Sequence, residues 1–325
     1  MKYKIILGAL LFAVCLISLN IGSYPLSFFS VSSDIWHHRF SQASVILWEI
    51  RFPRMLLGLL VGGSLGLAGA AMQGFLRNPF AEPGVLGISG GASLGAVLVL
   101  YSGLSSAFSL ALPLGGIVGA LIFAALLYFL AGPLSIHALI LSGIALNLLA
   151  FAGTSLVLNL SQNPYARLEI VFWQMGSLQD RSWNHLALAA PFILTGAWMI
   201  WKNRNALDVL TLGEETAQSM GVNLKRLQWI MIFGTALAVG AGVAVCGSIG
   251  FVGLVVPHLL RPWVKHEPGK LLGISALGGA ILILGADILV RLIPAESELK
   301  LGVLTSLLGA PFFLSLIFQM RKRVN

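Results

Sequence analysis

Long apolar runs recur along this sequence from one end to the other. A helix needs about 20 apolar residues to cross the hydrocarbon core of a bilayer, and ten segments come close to that length. They are residues 4–24, 54–76, 84–103, 109–131, 135–159, 186–202, 226–247, 250–265, 271–293 and 301–320. Because backbone polar groups find no water inside lipid, such segments must be helical. The sequence predicts an all-α polytopic membrane protein with about ten transmembrane helices, forming one domain over residues 1–325.

The composition indicates lipid rather than water as the main solvent. Of the 325 residues, 57% are hydrophobic and 10% are charged, whereas soluble domains carry about 25% charged residues. The net charge of +8 would suggest nucleic acid in a soluble protein. In a membrane protein, however, Lys and Arg accumulate in cytoplasmic loops. The expected surroundings are therefore a lipid bilayer, with no nucleic acid as partner.

The basic residues also predict the orientation. If the N-terminus lies inside, thirteen of the 20 Lys and Arg residues are cytoplasmic and seven are outside, which places both termini in the cytoplasm. The inside set is Lys2, Lys4, Arg77, Lys202, Arg204, Lys225, Arg226, Arg261, Lys265, Lys270, Arg321, Lys322 and Arg323; the outside set is Arg39, Arg51, Arg54, Arg167, Arg181, Arg291 and Lys300. The N-terminal run imitates a signal peptide but has no small-x-small cleavage site, so we expect it to remain as the first helix.

Ten crossings allow an internal symmetry. Helices 2–5 begin outside and helices 7–10 begin inside, so a structural repeat between these groups must be inverted, as in many transporters. Small residues indicate where the helices pack closely. They recur every four positions at Gly58, Gly62, Gly66 and Ala70, and again at Gly87, Gly91 and Gly95.

The most specific pattern surrounds the turn between the second and third helices. Arg51-Phe52-Pro53-Arg54 precedes the second helix, and Arg77-Asn78-Pro79-Phe80-Ala81-Glu82-Pro83-Gly84 leads into Gly87-Ile88-Ser89-Gly90-Gly91-Ala92. The prolines stop one helix and start the next, and Asn78 can bond the freed backbone groups. These elements resemble R-x-P-R, (R/E)-N-P-x-A-(E/D)-P and G-(I/V)-S-x-G-A, the signature of the iron-siderophore/cobalamin family of type II ABC permeases.

The polar stretch between the sixth and seventh helices, about residues 205–225, does not fit a membrane span. Acidic residues stand at a helix start, where the dipole favours them, and Gly221 suits a C-terminal cap. Alone, this pattern is typical of any amphipathic surface helix. Glu215-Thr216-Ala217 followed by Gly221 is similar to the E-A-A-x-x-x-G loop of ABC permeases. That resemblance implies short cytoplasmic coupling helices that dock on an ATPase through Gly213, Glu214, Glu215, Ala217 and Gly221.

Two later segments extend the resemblance. The run from Gly247 to Arg261 fits the family's G-x-I-G-F-(V/I)-G-L-x-(V/I)-P-H-x-x-R, and we interpret its lone His258 as structural. Asp287 and Arg291 are four residues apart, so they can pair on one helix face, although an ionisable residue within a span is also a functional candidate. The chain departs from the family's E-L-P-(V/I)-G at Glu298-Leu299-Lys300-Leu301-Gly302, which puts the geometry of that outer loop in doubt.

The resemblance implies a translocation subunit rather than an enzyme, without catalytic or metal-binding residues. No G-x-x-x-x-G-K-[ST] phosphate loop occurs in the sequence, so no cofactor is expected on this chain, and ATP and Mg²⁺ would bind a separate partner. One chain supplies half of the helices of such a pore, which predicts a homodimer. Further expected partners are two ATP-binding subunits and a periplasmic substrate-binding protein, in a bacterial inner membrane. The family carries ferric siderophores, haem, cobalamin or molybdate-type oxyanions.

The resemblance also assigns roles to individual residues. Those expected to dock the binding protein are Arg51, Arg54 and Arg291; those expected to gate or line the pathway are Asn78, Phe80, Ser142, Asn147, Thr154 and Ser155. Two other function classes remain open. An ion-coupled secondary transporter would carry buried carboxylates on several helices, for which Asp287 is the candidate, and an intramembrane enzyme would need paired aspartates or an H-E-x-x-H run, which the sequence lacks.

Overall fold

The computed structural model describes residues 2–22, 24, 31, 42–108, 110–132, 136–293 and 299–324, with the backbone alone at 106, 107, 317 and 319–324. Arg39 and Glu298, assigned above to outer loops, lie outside these ranges. Within them the protein is helical, without strands. The helices of six or more residues are α1 (Lys2–Asn20), α2 (Gln42–Phe75), α3 (Ile88–Ser102), α4 (Ala111–Ala131), α5 (Ile136–Leu160), α6 (Pro164–Gln174), α7 (Trp183–Lys202), α8 (Arg204–Leu210), α9 (Glu214–Ser219), α10 (Leu224–Cys246), α11 (Val252–Leu260), α12 (Pro268–Leu292) and α13 (Leu301–Val324).

Each of the ten predicted spans overlaps one of these helices. By length and composition, α1, α2, α4, α5, α10 and α12 could each cross a membrane; α3, α11 with its 3-10 extension, and α13 are shorter apolar helices. The sixth predicted span is occupied by α7. The all-helical class is therefore confirmed, whereas the number of crossings and the inverted repeat stay predictions.

The second helix is longer than the sequence predicts. It begins at Gln42 and not near residue 54, because a π-helical segment, Ile46–Arg51, carries the chain into Pro53 without a break. A proline lacks the N–H for the usual bond, and its ring clashes with the preceding turn. The wider π turn accommodates both defects. Arg51 and Arg54 consequently lie on a continuous helix.

The glycine stripes form packing seams. A Cβ atom added to Gly66 would overlap the carbonyl oxygen of Ser275, and one added to Gly62 would overlap that of Gly279, so α2 and α12 touch backbone to backbone. Such close approach is a main source of helix association in lipid. The stripe on α3 is confirmed in the same way, since a Cβ on Gly95 would overlap the Gly115 carbonyl of α4.

Contacts between the ends of helices define the two ends of the molecule. The rings of Tyr3 and Trp263 lie 5.1 Å apart, and the backbone N–H of Gly269 donates to the Asp208 carboxylate at 2.7 Å. The start of α1, the α11–α12 turn and α8 therefore share one end, which we call the inner end. The opposite end, where Ser18 of α1 meets Arg291 of α12, is called the outer end.

The seam predicts how α2 responds to added volume. We expect Gly66→Ala to lower the thermal unfolding midpoint of the protein in detergent, because its methyl group forces α2 away from α12. Overpacking of this kind costs about 1–3 kcal/mol. In the control Gly63→Ala, the new Cβ would lie 3.6 Å from the Ala276 oxygen, an ordinary contact, so its stability should stay within about 0.5 kcal/mol of the wild type. Equal midpoints for the two variants would contradict the seam.

Candidate functional site

A buried ion-pair cluster holds the outer ends of α2 and α12 together. The Asp287 side chain is 1% exposed and lies 2.8 Å from a guanidinium nitrogen of Arg54 and 2.8 Å from one of Arg291. The pair of Asp287 with Arg291 confirms the i,i+4 interaction expected from the sequence. The second partner, Arg54, comes from a helix 233 residues away in the chain. Two cations around one carboxylate offset the cost of removing that charge from water.

Arg291 of this cluster, together with Arg51, fastens the outer end of α1. Arg51 donates to the carbonyl oxygens of Leu19 and Asn20, both at 2.8 Å, and Arg291 donates to that of Ser18 at 2.9 Å. The last carbonyls of a helix lack partners within it, and they attract cations. These guanidinium groups therefore cap α1.

All three arginines expected to dock a binding protein thus point inward. Arg51 is 5% exposed, and the side chains of Arg54 and Arg291 are 12% and 7% exposed. Their docking role stays a prediction. In the described conformation their N–H groups bind Asp287 and the end of α1.

At the inner end, the predicted pair of short helices is present as α8 and α9. Ala217 is fully buried and packs α9 against the body of the protein, while Glu214 forms a 2.8 Å ion pair with Arg77 at the end of α2. Gly221 has a φ of +87° and ends the motif, as a C-terminal cap requires. Glu215 and Gly221 are exposed.

Two large apolar side chains flank α9 on its exposed face. Leu212 is 61% exposed and Met220 is 59% exposed, although the surrounding loop is polar. The ion pair between Arg77 and Glu214 connects this surface to the turn that follows α2. Together, α9, Leu212 and Met220 form what we call the coupling surface.

The turn after α2 is ordered by its own side chains. Asn78 accepts a hydrogen bond from the backbone N–H of Phe80 at 3.0 Å, as expected for an Asx turn. The Phe80 ring packs edge-on against Phe313 of α13, with ring centroids 5.6 Å apart. The two residues assigned to the inner gate therefore join the end of α2 to α13.

An open cavity of about 450 Å³ lies between this turn, α3, α5 and the loop before α11. Asn147 and Thr154, both expected along the pathway, line it; Ser142 and Ser155 are not part of its lining. A second cavity of about 590 Å³ continues toward α13. The other polar side chains that line the first cavity are those of Glu82, Ser89, Ser93, Gln174 and Ser248. Gln174 and Ser248 also line the second cavity.

Glu82 is a polar residue of this cavity that the sequence analysis did not single out. Its carboxylate accepts a hydrogen bond from the backbone N–H of Phe251 at 2.8 Å, 169 residues away. In the sequence, Glu82 occupies the (E/D) position of the family's turn pattern, and we assigned it no role. The feature that could have drawn attention to it is an ionisable residue directly before an apolar helix. Gln73, buried in α2, is another polar residue that the sequence analysis did not single out, although it does not line this cavity. Its side chain donates to the Gly253 carbonyl at 3.3 Å and accepts from Arg261.

Two irregular segments, residues 76–87 after α2 and residues 247–251 before α11, reach the interior of the molecule. Gly253 lies against Gly69 and within reach of Pro83, and Gly69 stands six residues before the end of α2, which corresponds to about 9 Å along the helix axis. Non-helical backbone at such depth is tolerated where it is buried or lines an aqueous cavity. Among the described residues, no group of three His, Cys, Asp or Glu side chains could hold a metal ion.

The known proteins that this chain resembles include permease proteins of transport and import systems. The chain is 38% identical to the hemin transport system permease protein HmuU of Yersinia pestis, covering 98% of this chain and 97% of that protein. It is 39% identical to the vitamin B12 import system permease protein BtuC of Vibrio cholerae (97% and 93%). It is 38% identical to the Fe(3+)-citrate import system permease protein YfmE of Bacillus subtilis (98% and 96%).

A solved structure has the same fold. It is described as an inward-facing conformation of a metal-chelate type ABC transporter, with a TM-score of 0.87 and 32% identity over 98% of this chain and 99% of that one. Residues 10–319 match the FecCD transport family. This chain, with its helical fold and the segments around its cavity, belongs to the FecCD transport family.

Proposed function

We propose that this chain is the membrane-spanning permease of an ATP-driven importer that carries a metal chelate or a cobalamin-type compound across a bacterial inner membrane. Two copies would form the pore, with two ATP-binding subunits at the inner end and a periplasmic binding protein at the outer end. The observation that carries this proposal is the coupling surface. It exposes apolar side chains to a partner and is linked by Arg77 to the inner turn.

The coupling route follows from the contacts around α9. A partner that moves α9 acts on Arg77 through Glu214, at 2.8 Å. Arg77 begins the turn that contains Phe80, and Phe80 packs on α13. Nucleotide binding in the ATPase would thus reach the inner gate without ATP entering the permease. The buried Ala217 makes this transfer possible because it holds α9 close to the body.

The cavity provides the pathway in this proposal. Hydroxyl and amide groups line it, together with backbone from the two irregular segments, and it is open on one side of a single chain. A second copy related by a two-fold axis would close that side. The irregular segments precede α3 and α11, corresponding positions in the two halves, which supports an inverted repeat with the pathway at its centre.

An ion-coupled secondary transporter is less well supported. Asp287, the carboxylate that the sequence offered for such a role, is held by both Arg54 and Arg291. A carrier carboxylate must exchange its ion in each cycle, whereas a doubly paired carboxylate at the outer end serves to join α1, α2 and α12.

The function can be tested by reconstitution. The permease is purified with a partner ATPase and a periplasmic binding protein and placed in proteoliposomes. Uptake of haemin, cyanocobalamin and ferric citrate is then measured. We expect one of these compounds to enter in an ATP-dependent manner, and an ATPase variant that lacks its phosphate-loop lysine to abolish uptake. Uptake that proceeds without the ATPase, driven by an ion gradient, would refute the proposal.

The coupling surface predicts a defect in assembly. We expect Met220→Glu to reduce recovery of the ATPase with the purified permease about tenfold, because a central apolar contact contributes roughly 1–2 kcal/mol to such interfaces. The control is Leu168→Glu on α6, an apolar residue of similar exposure, 54%, away from α9. If both variants retain the ATPase equally, α9 is not its docking site.

The outer cluster predicts a change in stability. Removing one partner of a buried ion pair costs about 3–5 kcal/mol, so Asp287→Asn should lower the unfolding midpoint in detergent by several degrees. Lys270→Gln is the control, because its pair with Glu267 is exposed and such pairs contribute about 0–1 kcal/mol. An unchanged midpoint for Asp287→Asn would show that the cluster does not fasten the helices.

The docking role of the arginines has its own test. If Arg54 receives a carboxylate of the binding protein, Arg54→Gln should weaken binding-protein affinity in a pull-down with reconstituted permease more than Asp287→Asn does, since arginine donates two hydrogen bonds to a carboxylate. Equal affinities for both variants would assign Arg54 to the cluster alone.

A further inference from the structure

Glu82 is a carboxylate in the interior of the protein to which neither gating nor docking has been assigned. It faces the 450 Å³ cavity and lies beside Pro83, which is close to Gly253 of α11. A charged group at membrane depth is costly and is retained where it has a partner and a task. Among the described residues, its hydrogen-bond partner is the backbone N–H of Phe251.

The partner is the residue that precedes the first turn of α11. Phe251 has a φ of +68°, a left-handed conformation that costs a non-glycine residue energy and persists only where neighbours enforce it. The N–H at a helix start also attracts negative charge through the helix dipole. The hydrogen bond of 2.8 Å from Phe251 N to the Glu82 carboxylate therefore fixes both the loop and the start of α11.

Contacts extend from this bond to α13. The Phe251 side chain fills the space where a Cβ on Gly309 would lie, so Phe251 packs directly on α13. The same helix carries Phe313, which meets Phe80 of the inner turn. The inner turn thus reaches α13 by two routes, one through Phe80 and one through Glu82 and Phe251.

We propose that Glu82 is a positioning residue that ties the inner turn to α11 and α13, so that these parts move as one body when the ATPase displaces α9. This inference rests on the proposed import function. The carboxylate acts through its oxygen as a hydrogen-bond acceptor, and its loss separates the ATPase cycle from opening of the pathway. Transport then falls while ATP hydrolysis continues.

The test compares two substitutions of similar size. Glu82→Gln keeps a side-chain oxygen that can accept from Phe251, whereas Glu82→Leu removes the acceptor and keeps most of the volume. Each variant is reconstituted with its ATPase and binding protein, and two rates are measured: ATP hydrolysis, and uptake of the compound among haemin, cyanocobalamin and ferric citrate that the wild type transports. The control is Glu169→Leu, an exposed acidic residue of α6.

We expect Glu82→Leu to lower the ratio of uptake to hydrolysis about tenfold, within the range produced by substitutions along a coupling route. Glu82→Gln and Glu169→Leu should keep the ratio within about twofold of the wild type, since the hydrogen bonds that matter are intact. Amide hydrogen exchange at residues 248–254 should accelerate in Glu82→Leu and not in Glu82→Gln.

Three results would overturn the inference. A normal ratio in Glu82→Leu would show that the bond does not transmit movement. A loss in Glu82→Gln equal to that in Glu82→Leu would show that the charge is required, as in an ion carrier. Failure of Glu82→Leu to assemble with the ATPase would make Glu82 a purely structural residue. Absence of ATP-dependent uptake by the wild type would instead refute the proposed function and leave the exchange measurement as the test of the bond.

Discussion

Direct backbone contact between α2 and α12 is the interaction on which the rest of the structure depends. In lipid there is no hydrophobic drive between helices, so association relies on close packing and polar bonds. Gly62 and Gly66 bring the two backbones together. This places Arg54 against Asp287 at the outer end and the last turn of α2 near α8 and α9 at the inner end. The contact between α2 and α12 thus fixes how these helices align at both the outer end and the inner end.

The interior of the protein departs from regular helix where the cavity lies. The segment after α2 and the loop before α11 bring backbone into the molecule, where Asn78 and Glu82 accept hydrogen bonds from the N–H groups of Phe80 and Phe251. Gln73 donates to the carbonyl oxygens of Gly253 and Leu254 in the first turn of α11. Each of these side chains replaces a bond that an unbroken helix would supply. The arrangement leaves a polar lining in the cavity between these two segments.

The sequence was informative about local features and less so about partners. The turn at Asn78, the cap at Gly221 and the pair Asp287–Arg291 depend on residues a few positions apart, and the structure has all three. The bonds of Glu82 with Phe251 and of Arg54 with Asp287 join residues 169 and 233 positions apart. Spacing within one chain gives no information about such pairs, so the first was missed and the second was assigned only an external role.

By itself, the sequence determined the all-helical membrane class, the position of the polar loop that holds α8 and α9, and membership of the permease family. Hydrophobic length, polar interruptions and specific motifs are all properties of contiguous residues. The tertiary structure alone decided that the glycine stripe of α2 packs on α12 and that of α3 on α4. It also turned the outer arginines inward, Arg51 and Arg291 onto the end of α1 and Arg54 onto Asp287. The physical reason is that packing in lipid is set by the fit between surfaces distant in sequence, and burial of a charge is decided by whether another helix supplies its partner.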